Sequence, residues 1–209
     1  MRLLTSSVIA LCFIACAAPP VESVDQESSY LDYSMLADKD SGGARLIPIK
    51  TPLGEFNVWT KRVGNNPTTK VLLLHGGPGA THEYFEAADS YFPHAEVEYY
   101  YYDQLGSGNS DNPEDPSLGE TERFVEEVEQ VRIALGLDAT NFILLGHSWG
   151  GILATEYALN YQDNLPGLIL SPLVASLPAS LPSAAGVLGP PLPAAVLLEI
   201  KSLEAAGEY

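Results

Sequence analysis

Asn141-Phe-Ile-Leu-Leu145 is a short run without a charged residue, and it ends in Gly146-His-Ser-Trp-Gly-Gly151 before the chain continues as Ile152-Leu-Ala-Thr155. An uninterrupted apolar run of this length suits a strand buried on both faces, which is the environment inside a parallel sheet. Lys70-Val-Leu-Leu-Leu74 has the same texture, and Gly167-Leu-Ile-Leu170 reads as one more strand. Between them, Phe124, Val128, Val131 and Leu135 recur at i, i+4, i+7 and i+11. That spacing predicts one apolar stripe on a helix that begins near Leu118 and stops at Gly136. A second helix is expected from Gly151 to about Tyr161. Residues 45–49 and 55–63 read as two strands joined by a turn at Pro52-Leu53-Gly54, and residues 96–102 as another, followed by a loop to about Ser117. Strands alternating with helices define an α/β chain, with a mostly parallel sheet, right-handed crossovers and helices on both faces.

Within that frame Gly146-His147-Ser148-Trp149-Gly150 fits G-x-S-x-G, a strand-to-helix turn that lifts a serine hydroxyl clear of the sheet. Three fixed residues are a weak signal alone. The buried run before them and the helix after them are what make Ser148 the candidate nucleophile. A glycine turn carrying a purely structural serine is the alternative.

His75-Gly76-Gly77-Pro78-Gly79 directly follows the strand that ends at Leu74. Acyl transfer needs hydrogen-bond donors aimed at the oxygen that becomes negative in the tetrahedral intermediate, and a glycine loop brings backbone N–H groups close to it. One donor comes from the residue after the nucleophile, here Trp149, and the other from a loop after an earlier strand. Gly77 is the choice for that second donor, ahead of Gly76. His75 reads as a brace for the loop, with Gly76 and Gly79 as its other supports. Asp103-Gln104-Leu-Gly-Ser-Gly-Asn-Ser110 lacks the Gly-Lys-Ser/Thr of a phosphate loop and reads as bracing for the floor of the site.

These three motifs together resemble the proline iminopeptidase family of α/β-hydrolases, from about Arg45 to the end of the chain. The resemblance implies an α/β-hydrolase fold and a serine aminopeptidase that releases N-terminal residues, often proline, from short peptides or amino-acid amides. It implies an acyl-enzyme on Ser148, no metal and no organic cofactor, and a helical cap with carboxylates for the substrate's ammonium group. Residues 193–209 resemble only the start of such a cap.

A nucleophilic serine needs a histidine and an acid that orients it, and in this fold both follow the serine. No histidine follows Ser148. His147 is its neighbour, and His82 and His94 come too early in the order. The expectation is a chain truncated within the cap and inactive by itself. An esterase, lactonase or amide hydrolase would use the same elbow and loop. A binding protein that kept the scaffold without the triad is a reading of a different class.

The rest of the sequence sets the context. Ten basic against 27 acidic residues give a net charge of −17, which disfavours nucleic acid and an anionic membrane face as partners. The acidic run from Asp111 to Glu129 reads as a solvated face, with Glu122, Glu126 and Glu129 away from the apolar stripe. Arg2 followed by the uncharged run to Ala15 reads as an export leader, too short to span a bilayer. Its exit is either Ala15-Cys16-Ala17, cut after a small residue, or a degenerate lipobox in which Cys16 is acylated and becomes a membrane anchor. The expected destination is periplasmic, extracellular or lipid-anchored. Both cysteines, Cys12 and Cys16, fall in this leader, so the remainder has no thiol for catalysis, disulfides or zinc. The expected organisation is a leader at 1–17, an acidic linker at 18–43, an incomplete core at 44–175 and the start of a cap at 176–209.

Overall fold

A computed structural model describes residues 30–171, 186 and 191–207. The segment read as an export leader, with Cys16, the first part of the segment read as an acidic linker, and the Pro- and Ala-rich stretch after Ser171 lie outside these residues, apart from 186 and 191–193. The strands are β1 (Ala44–Thr51), β2 (Gly54–Val63), β3 (Lys70–Leu74), β4 (Glu98–Asp103), β5 (Phe142–His147) and β6 (Gly167–Ser171). The helices are α1 (Thr121–Ala134), α2 (Trp149–Tyr161) and α3 (Ala194–Ala206). The strands form one sheet in the order β1-β2-β4-β3-β5-β6. Its first two pairings are antiparallel and β4, β3, β5 and β6 run parallel, as the continuously apolar runs imply. Pro48 sits within β1, where an edge strand tolerates a missing donor.

The four consecutive tyrosines of β4 show how the two faces are filled. All are buried. Tyr100 and Tyr102 join the larger core with Leu72, Leu74, Leu144, Phe124, Val128 and Tyr157, under α1 and α2. Tyr99 and Tyr101 join Val71 and Leu73 on the opposite face, against Phe85 and Phe92. That second face is covered by 3₁₀ turns at His82–Ser90 and Phe92–Ala95, for which the sequence carried no clear periodicity. The hydroxyls of Tyr99 and Tyr101 both donate to Asp89, which fastens these turns to the sheet.

Several boundaries differ from expectation, and three of them bear on the site. β4 starts two residues late because Glu96 adopts a left-handed conformation (φ 52°) that closes the preceding 3₁₀ turn. The strand also runs one residue further than expected, so Asp103 is its last residue. The helix expected from Leu118 is a 3₁₀ turn at Pro116–Gly119, a break at the extended Glu120, and then α1. β5 runs through His147, so the strand delivers the chain directly to Ser148.

Residues 30–43 are held against the edge of the sheet where the parallel strands begin. Asp38 makes a bidentate pair with the buried Arg62, at 2.7 and 3.1 Å. Tyr33 accepts the Gly64 N–H at 2.9 Å, and Tyr30 donates to the Val97 carbonyl at 2.7 Å. The opposite edge, where β3, β4 and β5 end, carries His75, Asp103 and Ser148. Ligand sites of open α/β sheets form at that edge.

Leu144 is fully buried in β5, between Leu72 of β3 and Leu168 of β6. Leu144→Ala is expected to cost about 2–5 kcal/mol, from lost transfer energy plus the cavity. Urea unfolding followed by circular dichroism measures it.

Candidate active site

Ser148 stands between the end of β5 and the start of α2 with φ 55° and ψ −120°. These angles are those of the first central position of a type II′ turn, where glycine is the usual occupant. The turn is that sharp because two backbones nearly touch. A Cβ on Gly146 would lie 2.1 Å from the Gly150 carbonyl oxygen, and one on Gly150 would lie 2.1 Å from that of Leu74. The Ser148 carbonyl accepts the N–H groups of Gly151 and Ile152, starting the helix. A serine in this position ordinarily caps the helix with its side chain. Here the Ser148 hydroxyl makes no capping bond, so its Oγ is left for other chemistry.

His75 is fully buried. Its Nδ1–H donates to the Gly76 carbonyl at 2.8 Å, and its Nε2 accepts the Gln104 N–H at 3.0 Å. Because a backbone N–H can only donate, this pairing sets the tautomer. Burial lowers the His75 pKa below the ordinary value, against the attraction of Asp103. The ring is a neutral brace between the loop after β3 and the loop after β4.

Gln104 completes that brace. Its Nε2 donates to the His75 carbonyl and its Oε1 accepts the Trp149 indole N–H, both at 3.0 Å. The Asp103 carboxylate accepts the His82 N–H at 2.9 Å, the His82 ring Nδ1–H at 2.8 Å and the Asn109 N–H at 2.9 Å. Gly108 lies where a Cβ would meet that carboxylate at 2.2 Å. The Gly76 N–H is taken by the Tyr84 hydroxyl at 2.6 Å. Among the described residues, no acceptor takes the N–H of Gly77 or of Trp149. Gly79 lies in the turn beyond Pro78 and lines, with Pro78, Gln104, Leu105, Glu114 and Phe124, a cleft of about 320 Å³. A larger cavity of about 690 Å³ lies at the far edge among Arg62, Lys70 and Glu98, away from these groups.

One supporting residue was assigned to the wrong environment by the sequence. Glu127 belongs to the acidic run read as a solvated face, yet it is only 1% exposed. It accepts hydrogen bonds from the Tyr102 hydroxyl, the Leu105 N–H (2.9 Å) and the Arg123 guanidinium. Burial raises its carboxyl pKa against the pull of Arg123. Its spacing was the available signal: Glu127 is i+3 from Phe124 and adjoins Val128, so it lies on the apolar stripe. Arg123, i−4 to it, offered the partner.

All four histidines of the chain are described, and no hydrogen bond joins any of them to Ser148. His75 and His82 are engaged as above, and His147 Nδ1 meets the Tyr84 hydroxyl at 3.1 Å. Among the described residues no three His, Cys, Asp or Glu side chains are grouped to hold a metal, and no helix is long and apolar enough to cross a membrane.

A strained serine between a parallel strand and a helix, facing a glycine loop from the neighbouring strand, belongs to a known class. The chain is a member of the alpha/beta hydrolase fold family, whose sequence profile matches residues 69–193. The proline iminopeptidase of Chitinophaga pinensis is 57% identical over 164 residues, covering 78% of this chain and 55% of that protein. That of Flavobacterium johnsoniae is 54% identical over the same shares. The crystal structure of a Mycobacterium smegmatis proline iminopeptidase superposes with a TM-score of 0.64 at 30% identity, covering 78% of this chain and 55% of that one. The chain thus spans about half the length of the curated relatives it matches.

Two outcomes follow from this geometry. Ser148→Gly is expected to stabilise the fold by about 1 kcal/mol, because relief of strain worth ~1–3 kcal/mol exceeds glycine's extra entropy cost. Chemical denaturation of both proteins checks it. For His75 the folded pKa is depressed, so below the unfolded value of 6.5 the unfolded chain takes a proton that the folded one refuses. Stability should fall as pH drops through that region. His75→Gln should show a shallower fall in urea midpoint between pH 7.5 and 5.5.

Proposed function

We propose that Ser148 is the nucleophile of a serine aminopeptidase that releases N-terminal residues, proline preferred, from short peptides or amino-acid amides. The observation that carries this reading is the strained turn at Ser148, with its Oγ free of the helix it would ordinarily cap. The likeness to proline iminopeptidases at 54–57% identity supports the choice of substrate.

In this reading Ser148 Oγ attacks the carbonyl carbon of the N-terminal residue. The N–H groups of Gly77 and Trp149 donate to the resulting oxyanion, a role supported by neither having another acceptor among the described residues. Collapse of the tetrahedral intermediate breaks the C–N bond and leaves an acyl ester on Ser148. The amine departs with the proton first taken from the serine, and water then releases the acid and restores the hydroxyl. The base that carries this proton is none of the four histidines here. We assign it, with its orienting acid, to the part of the relatives' length that these 209 residues do not span. Neutral His75 and the paired His82 serve the scaffold instead. The charged start at Arg2 and the uncharged run to Ala15 support a reading as an exported protein, with Cys16 as a candidate for lipidation.

A chain extended to the length of the relatives is expected to hydrolyse a prolyl p-nitroanilide in preference to p-nitrophenyl esters. Ser148→Ala should lower kcat on the order of 10⁴-fold or more, and residues 1–209 alone should turn over near background. A preference for esters would move the assignment to an esterase on the same scaffold. Absence of both turnover and fluorophosphonate labelling would leave a binding protein.

A further inference from the structure

Tyr84 carries no motif and belongs to a 3₁₀ turn, yet its hydroxyl sits where three elements meet. It accepts the Gly76 N–H at 2.6 Å and lies 3.1 Å from Nδ1 of His147, the residue before the nucleophile. Its ring meets the His147 ring edge-on, with centroids 5.1 Å apart, and leans on Phe85 at 4.5 Å. Burial raises the Tyr84 pKa above that of an ordinary phenol, so the hydroxyl keeps its proton near neutral pH. It can therefore accept from Gly76 and donate to His147 at the same time.

The turn that bears Tyr84 is itself anchored. Two residues earlier, His82 gives both its backbone N–H and its ring N–H to Asp103 at the end of β4. The ring of His82 is also packed against Trp59, with centroids 4.4 Å apart. At the other end of the contact, the loop after β3 lies directly on the nucleophile. A Cβ on Gly76 would come within 3.0 Å of the Ser148 Cβ.

We propose that Tyr84 is a positioning residue for acyl transfer, its hydroxyl tying the Gly76 amide to His147 and so setting the spacing between the Gly77 and Trp149 amides. By occupying the Gly76 N–H, the hydroxyl also decides which amide of the loop remains to meet a developing oxyanion. The two N–H groups come from different strands, and nothing in the covalent chain holds them together. The Tyr84 hydroxyl bridges the Gly76 backbone of the one loop to the His147 side chain beside the other. Gln104 makes a second link of this kind, joining the His75 carbonyl to the Trp149 indole.

This inference rests on Ser148 being a nucleophile, and the experiment separates the two. Reaction of Ser148 with a fluorophosphonate probe is followed in a chain extended to the length of the relatives, in its Tyr84→Phe form and in its Tyr91→Phe form, an exposed control outside the site. Tyr84→Phe keeps the ring contacts and loses both hydrogen bonds. It is expected to be labelled about ten- to a hundredfold more slowly, less than or near the cost of deleting one oxyanion donor outright. With a prolyl p-nitroanilide, kcat normalised to the labelled fraction should fall by a similar factor while KM stays within about twofold; a general loss of folded protein would lower the amplitude of labelling and leave its rate constant unchanged. Tyr91→Phe should match the parent. Labelling of Tyr84→Phe at the parental rate overturns the proposal. A parent that is not labelled overturns the nucleophile itself, and this inference with it. Should Tyr84→Phe fail to fold, 3-fluorotyrosine at position 84 keeps the shape and weakens the oxygen as an acceptor. Slower labelling then supports the bridge, and an unchanged rate overturns it.

Discussion

The approach of the Gly150 backbone to the end of β3 holds this site together. Gly150 sits where any side chain would collide with the Leu74 and His75 carbonyls, and Gly146 where one would collide with Gly150. Those contacts let α2 start immediately behind β5, and Ser148, trapped between them, takes backbone angles that a serine seldom adopts. The strain is sustained by what surrounds it: a strand paired on both sides, and a helix whose first carbonyl bonds are already made.

Around that turn the polar groups form a continuous buried scaffold. Glu127 on α1 holds the Leu105 amide, Gln104 joins His75 to Trp149, and Asp103 gathers His82 and Asn109. Each bond satisfies a group that burial would otherwise leave unpaired, a cost of about 1–3 kcal/mol apiece. No buried side-chain nitrogen or oxygen among the described residues lacks a partner. Gln104 and Trp149 are 45 residues apart in the chain, and His75 and Gln104 are 29 apart.

Much of the fold was legible because it rests on local pattern. The apolar run Val71 to Leu74 has few other uses than a buried parallel strand, Phe142 to Leu145 is buried at alternate positions, and the stripe from Phe124 to Val131 is buried as its spacing requires. The 3₁₀ turns between His82 and Ala95 were not legible. Their order comes from tyrosine hydroxyls on β4 reaching Asp89, and from aromatic packing on Phe85 and Phe92. Glu127 was misplaced for a related reason. A carboxylate in an acidic run looks solvated until its partners Arg123, Tyr102 and Leu105 are seen around it.

The sequence by itself determined the α/β class, the strands that carry the two glycine motifs, and Ser148 as the residue held out at the elbow. Strand burial, helical period and the steric need for glycine are all read over a few consecutive residues. Only the tertiary structure decided that Glu127 is inside, that Asp103 clasps His82, and that Tyr84 stands between the loop and the elbow. Those assignments depend on which distant backbones share an edge of the sheet, and a one-dimensional pattern does not record which amide a given hydroxyl will reach.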